Sequence, residues 1–248
     1  MFFDGLQSPY DQQMMGVFGE MCADKYGFSR TDQDAFAIAS IERAQDAVHH
    51  KVFADEIVPV TVKTRRSEHV CAEDEEPHRC NIGKVSTLRP AFKKDGTVTA
   101  ANASKISDGA AAVVLMTADN AAERGLEPMA RIVAHATYAH EPEWFTTAPS
   151  QAVADVVEKA GWQMGDVDLF EINEAFASVT MAAMADNGLD HEKVNVNGGA
   201  CALGHPIGAS GARILVTLIY ALRNRGLKRG VASLCLGGGE AVAVAIEI

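Results

Sequence analysis

No run of apolar residues in the 248-residue chain approaches the roughly 20 that a membrane-spanning helix needs. The apolar start Met1-Phe2-Phe3 is too short for a signal peptide. Positive charge is scarce: 22 Lys and Arg stand against 33 Asp and Glu, a net charge of −11. That balance argues against general nucleic-acid binding and leaves room only for a local basic patch. Cysteine is sparse and unevenly placed. Among Cys22, Cys71, Cys80, Cys201 and Cys235 no pair has the close spacing of a zinc site, and an odd, irregular set is no disulfide framework. No metal is expected, and a reducing cytoplasm is the expected location. Repeats of solenoid length and low-complexity linkers are missing too. What remains, 48% hydrophobic and 22% charged, describes an ordinary globular protein of one or two domains.

What is present in abundance is glycine around one histidine. In the stretch from Asn195 to Arg213, Gly198, Gly199, Gly204, Gly208 and Gly211 bracket Gly204-His205-Pro206. Glycine is needed where a backbone turns with positive φ or approaches a ligand closely, so His205 is presented by a tight loop. Pro206 suits the first turn of a helix, and Ile214, Leu215, Leu218, Ile219 and Leu222 follow at helical spacing. His49, His50, His69, His78 and His191, in polar surroundings, are expected to be ordinary surface groups. Two other segments run from an apolar strand into an abrupt polar or glycine-rich turn. They are Val167 to Ala177, which contains Asn173-Glu174-Ala175-Phe176, and Val231 to Gly239, which contains Cys235-Leu236-Gly237. In α/β sheets chemistry gathers at strand ends.

The remaining periodicity predicts alternating elements. Helices are expected over residues 8–27, with Met14, Met15, Phe18 and Cys22 on one side, and over 32–50, with Thr31 as N-cap and Asp34 three residues on. Ile57 to Lys63 alternates as a strand, and Lys63 to Gly96 reads as a long surface excursion. Within it Arg65, Arg66, Arg79, Lys84, Arg89, Lys93 and Lys94 form a local basic cluster of the kind that pairs with phosphate. Asp108 to Met116 reads as a turn feeding a buried strand. A short helix over 118–124, a strand over 130–136, a helix from 148 to Gly161 and a strand over 167–172 follow. The chain then continues with helix 174–187, a strand near 193–196, helix 206–224, and strands 230–236 and 241–247. Such alternation is the pattern of a layered α/β domain.

Asn173-Glu174-Ala175-Phe176-Ala177, the block around Gly204-His205-Pro206, and Cys235-Leu236-Gly237-Gly238-Gly239 resemble the three C-terminal motifs of the thiolases, the acetyl-CoA acetyltransferases. The resemblance extends from about Gly5 to the last residue. It implies a thiolase-like layered α/β/α domain with a loop-domain excursion. Residues 1–96 would be the loop domain that covers coenzyme A, 97–118 the last strand region of an otherwise absent N-terminal half, and 119–248 the C-terminal domain. Met14 stands where the family has a histidine, and Pro77 where it has an arginine near the nucleotide.

The chemistry follows from residue types and from the resemblance together. Condensing two acetyl thioesters requires a base for a weakly acidic carbon and donors for the oxyanion formed at each stage. A cysteine with an ordinary pKa of about 8.5 can be brought into range by a cation or by backbone N–H groups, and Cys235 is placed as the acid/base for the α-proton. His205 suits activation of a thiol and donation to a thioester oxygen, Asn173 the orientation of a water, and the Gly237 N–H an acyl-enzyme oxyanion. By resemblance Ser104 and Ala100 lie along the pantetheine arm, and Phe145, Ala175 and Phe176 line the acyl slot. Glu174 is expected to support its turn, and Cys201 to pack.

No cofactor is implied beyond the coenzyme A thioester that serves as substrate. The family's first motif, which carries the acylated cysteine, is not in this sequence. Three accounts stay open: part of a longer polypeptide, a subunit that meets a nucleophile-bearing partner, or a non-catalytic coenzyme A-binding remnant. The family implies a homo-oligomer. Without the missing half, an apolar face around residues 111–116 is expected to lie exposed.

Overall fold

The computed structural model describes residues 1–248. Helix α1 (Met15–Tyr26) ends where Gly27 turns left-handed, at φ 68°, and α2 (Arg30–His49) follows at once. The cap of α2 is Ser29, not Thr31. The Ser29 hydroxyl accepts from the Asp32 N–H and the Asp32 carboxylate from the Ser29 N–H, a reciprocal box two residues ahead of the expected one. Residues 8–14, expected to be helical, form a turn closed by the Gln7 to Met14 bridge.

The excursion is more structured than its lack of periodicity suggests. It carries an antiparallel hairpin, β1 (Val60–Lys63) and β2 (Glu68–Cys71), then a single turn α3 (Glu76–Arg79) and a 3₁₀ turn over Ile82–Thr87. All four residues of β1 are exposed, so its alternation faces water on both sides. The excursion is held down by α2. Ile41 and Ala44 pack with Val85 and Ala101, and Gln45 donates to the carbonyls of Pro77 and Cys80.

After α4 (Ala118–Glu123) comes the main sheet, built from β3 (Arg131–Ala139), β4 (Leu169–Ile172), β5 (Arg229–Leu236) and β6 (Glu240–Glu247). Its spatial order is β3-β6-β5-β4, with β4 parallel to β5 and the other pairs antiparallel. Helices α5 (Ala148–Lys159) and α6 (Ala177–Asn187) lie on one side, while α7 (Ala200–Leu203) and α8 (Ile207–Arg225) complete the chain order. The period-two alternation of β6 builds both layers: Ala241, Ala243 and Ala245 join Val153 and Val156 of α5, whereas Ile246 joins Leu218 and Leu222 of α8. Close packing of α8 requires Gly230 on β5, where a Cβ would come within 2.8 Å of the Leu218 side chain. The result is the layered α/β/α arrangement expected.

Two strands were expected and did not form. Near 193–196 only one parallel bridge, Phe170 to Val194, is made, because Asn195 breaks away at φ 49°. From Asp108 to Met116 the chain is irregular, with Val114 85% and Leu115 68% exposed. The β-rich composition of this segment finds no strand to pair with, and its apolar side chains face water as anticipated. Helix α6 also starts three residues late, because Glu174, Ala175 and Phe176 are used to build the turn after β4.

An apolar run of this kind promotes association. Light scattering of the isolated chain is expected to show self-association that falls when Val114→Lys and Leu115→Glu are introduced together. A monodisperse monomer with the parent sequence would count against that expectation.

Candidate active site

The site gathers where β4 and β5 end. Asn173 follows β4 directly, and its N–H donates to the Ser233 carbonyl on β5, 3.0 Å away. Cys235 lies two residues further along β5. His205 arrives from the other side: Gly204, at φ 97°, swings the chain round, and the His205 N–H donates to the Lys105 carbonyl at 2.9 Å. A Cβ on Gly204 would strike the Ser107 side chain, so glycine is required there both for conformation and for space.

Hydrogen bonding favours one tautomer of the ring. Nδ1 of His205 lies 2.5 Å from the Ser210 Oγ, and that hydroxyl donates to the Pro206 carbonyl at 3.1 Å. With its own proton directed to Pro206, Ser210 accepts from the ring, an arrangement that assigns the proton to Nδ1 and leaves Nε2 bare. The Asn173 amide nitrogen lies 3.3 Å from Nε2 and donates to it. Burial, with the nearby Arg213 charge, lowers the histidine pKa to about 4, so the ring is neutral at physiological pH. The buried Asn173 Oδ1 has no partner.

Cys235 departs from expectation. It is 8% exposed and packed among Phe18, Val98, Phe145, Ala175, Phe176 and Val179. Burial pushes its thiol up to about 12, with only a small opposing contribution from the backbone and no cation beside it. The three glycines after it do form the β5 to β6 turn, and the Gly237 N–H donates to no protein acceptor. Met15 of α1 lies over Gly237, where a Cβ would come within 3.0 Å of its methyl group.

The expected slot residues Phe145, Ala175 and Phe176 do come together with Cys235, packed on one another. Phe145 meets Phe18 edge-on at 5.8 Å, and Phe176 meets Phe92 at 6.2 Å. Ser104 is tied to this cluster by its N–H to the Ala175 carbonyl at 3.0 Å. Ala100 lies apart and exposed, its carbonyl accepting from the Lys105 Nζ. An open groove of about 430 Å³ runs beside His205, between Ser107–Ala111 and Pro206–Ala209.

Glu174 holds its turn as expected, through partners, Ser40 and Asn195, that the sequence pattern did not single out. Glu174, 1% exposed, accepts from the Ser40 hydroxyl on α2 at 2.7 Å, the Asn195 amide at 2.8 Å and the Cys201 N–H at 3.0 Å. Asn195 also takes both backbone groups of Ile172, its Oδ1 accepting from the N–H and its Nδ2 donating to the carbonyl. The signal available was a serine and a carboxylate inside otherwise apolar helix and strand-end patterns. Cys201, 0% exposed, packs as expected. No cluster of three or more His, Cys, Asp or Glu side chains is placed to hold a metal, and no helix is long and apolar enough to cross a membrane.

The thiolase N-terminal-domain model matches residues 1–119 and the C-terminal-domain model residues 126–248. The chain belongs to the thiolase family. An acetyl-CoA acetyltransferase of Paracoccus denitrificans is 50% identical over the whole chain, and one of Schizosaccharomyces pombe 48% identical over 98% of it. The thiolase chain superposes on the Bacillus anthracis acetyl-CoA acetyltransferase with a TM-score of 0.95 at 46% identity, over 98% of this chain and 62% of that one. The human mitochondrial 3-ketoacyl-CoA thiolase gives 0.90 at 37% identity, over 98% and 61%. This chain spans 63% of the length of the Paracoccus relative and 62% of the Schizosaccharomyces one.

Two outcomes follow for this thiolase. Glu174→Ala leaves three buried donors to find new partners, a loss of at least about 3 kcal/mol in urea unfolding. A loss below about 1 kcal/mol would show that the turns hold without it. For His205 the folded pKa is about 4 against an ordinary 6.5, so unfolded chains bind the extra proton in that interval. The associated stability is complete above pH 6.5 and is lost as pH falls through 4, by up to about 3 kcal/mol. Glu171, at about 8, and Glu56, at about 7, act oppositely, stabilising below their ordinary range and losing that contribution as pH rises. His205→Gln is therefore expected to flatten the acid side of the stability profile alone.

Proposed function

We propose that this chain carries the acid/base part of a thiolase active site, serving acetyl-CoA condensation or 3-ketoacyl-CoA thiolysis, while the acylated cysteine lies outside it. The observation that carries this reading is the neutral His205 with a bare Nε2 beside Asn173. A ring so held first takes the proton of a nucleophilic thiol and then, as imidazolium, donates Nε2–H to a thioester oxygen. The unpartnered Asn173 Oδ1 is suited to hold a water, whose own proton would reach the same oxyanion. The free Gly237 N–H supports a donor role toward the acyl-enzyme oxygen.

Cys235 fits the thiolysis direction as it stands. Once the bond between the α and β carbons breaks, a protonated thiol can give its proton to the α-carbon of the departing acyl-CoA. The resulting thiolate takes up the proton of the incoming coenzyme A thiol. Condensation runs the same transfers in reverse. Phe145, Ala175 and Phe176 would flank the acyl group, and Ser104 and Ala100 the pantetheine arm. The basic residues of the excursion would attract the nucleotide phosphates. No cofactor is required beyond coenzyme A itself, and the assembly is proposed to be an oligomer that includes the nucleophile.

A second reading, coenzyme A binding without catalysis, is favoured by one fact only. Cys22, Cys71 and Cys80 offer no nucleophile: Cys22 is buried inside α1, and the others sit on the excursion. Denaturing intact-mass analysis of the native particle, paired with an acetoacetyl-CoA cleavage assay, separates the two. A longer chain or a second polypeptide, with cleavage that falls about 10²–10⁴-fold in His205→Ala, supports the catalytic reading. This chain alone, soluble and inactive, would overturn it.

A further inference from the structure

Glu171 and Arg213 take part in none of these steps. Glu171 is a carboxyl in the middle of β4, 2% exposed, and its Oε1 has no hydrogen-bond partner. Arg213 on α8 brings Nη1 to 3.9 Å from Glu171 Oε2, and this buried nitrogen is also unpartnered. That separation exceeds a hydrogen bond. A buried acid and guanidinium left this unsaturated contribute little stability, since apolar replacements of such pairs are often neutral or stabilising.

Their positions point to another role. Glu171 lies two residues before Asn173, and Arg213 lies three after Ser210, one turn along α8. Asn173 and Ser210 are the two groups that hold His205, at 3.3 Å from Nε2 and 2.5 Å from Nδ1. Ring, helix, the Glu171–Arg213 pair and strand thus form a closed circuit, in which the pair is a polar link between β4 and α8 beside the apolar packing of Leu169 with Ile214 and Leu218. We propose that Glu171 and Arg213 are positioning residues for His205: the pair sets α8 against β4 so that both ring nitrogens are gripped, and the guanidinium disfavours a second positive charge on the ring. This deepens, and rests on, the thiolase reading of His205 as base.

The surrounding charges are consistent with that field. Burial pushes Glu171 up to about 8 and Glu56 up to about 7, and it raises Asp74 as well, with Arg213 opposing the shift in each. Glu56 accepts from Thr217 on α8, so three acids held toward neutrality leave the guanidinium only partly offset. Lys105 turns its Nζ to the carbonyls of Ala100, Ala101 and Ala103. Glu174 is engaged with Ser40 and Asn195, Arg225 donates to Asn197, and Asp108 lines the groove beyond Pro206.

The test is ¹⁵N NMR of the His205 ring between about pH 4.5 and 8, which needs neither coenzyme A nor turnover. It can therefore fail while the thiolase assay succeeds, or the reverse. The parent ring is expected to be neutral and Nδ1-protonated above about pH 5.5, with protonation setting in only as pH approaches 4. Arg213→Gln, or the paired Glu171→Met with Arg213→Met should the single variant not fold, raises the ring pKa by at least about one unit. Arg213→Lys, which keeps the charge and loses the planar fork, holds the pKa down but admits a mixture of tautomers. Glu171→Leu, which removes the polar end facing Arg213 altogether, likewise loses the single tautomer. An unchanged tautomer in Glu171→Leu, or an unmoved pKa in whichever Arg213→Gln or paired variant folds, would overturn the proposal.

Discussion

The buried carboxylate of Glu174 is the interaction on which the site depends. Two segments far from the turn after β4 meet on its two oxygens: α2 through Ser40, and the glycine-rich block through Asn195 and Cys201. Ser40 reaches across to Gly199 as well, accepting its N–H at 3.0 Å. The backbone at Gly198 passes so close to α2 that a Cβ would come within 2.5 Å of the Ser40 carbonyl. A charge in this setting is costly unless every lone pair finds a donor, and here the donors are backbone and short polar side chains with little freedom to move. The geometry of His205 is a consequence of that closure.

The same low-polarity surroundings decide the protonation states. His205 and Cys235 are each pushed by burial toward their neutral forms, the ring by losing its proton and the thiol by keeping it. A resting site with a bare imidazole nitrogen and an intact thiol is a base and an acid held ready without net charge. The charges that appear during a reaction would be met by oriented N–H groups in place of bulk water.

A second set of contacts carries the excursion to the sheet. Glu20 on α1 accepts from the N–H groups of Thr97 and Val98, and Asn102 donates to Asp34 on α2. From there the Asn102 carbonyl and the Ser104 and Lys105 N–H groups knit residues 102–105 between Ala175–Ala177 and Ala200. The segment that follows, Asp108–Met116, has no comparable partners and stays irregular.

Local pattern was enough to determine much of this protein. The helix stops at Gly27 and Gly161, the alternation of β5 and β6, and the presentation of His205 by glycines all follow from steric and periodic rules that act within a few residues. The three motifs at the ends of β4, α7 and β5 were legible for the same reason. What only the tertiary structure decided is whatever depends on a partner distant in sequence. A strand pattern at 108–116 forms no strand without a neighbour to bond. A cysteine followed by glycines is not activated when aromatic side chains from α1 and from the turns before α5 and α6 enclose it. Ser40, Asn195, Glu171 and Arg213 are unremarked polar residues in sequence, and they acquire a role only when folding brings them within a few ångströms of the groups they serve. Short-range sterics can be read along a chain, whereas desolvation and hydrogen-bond closure are properties of the packed whole.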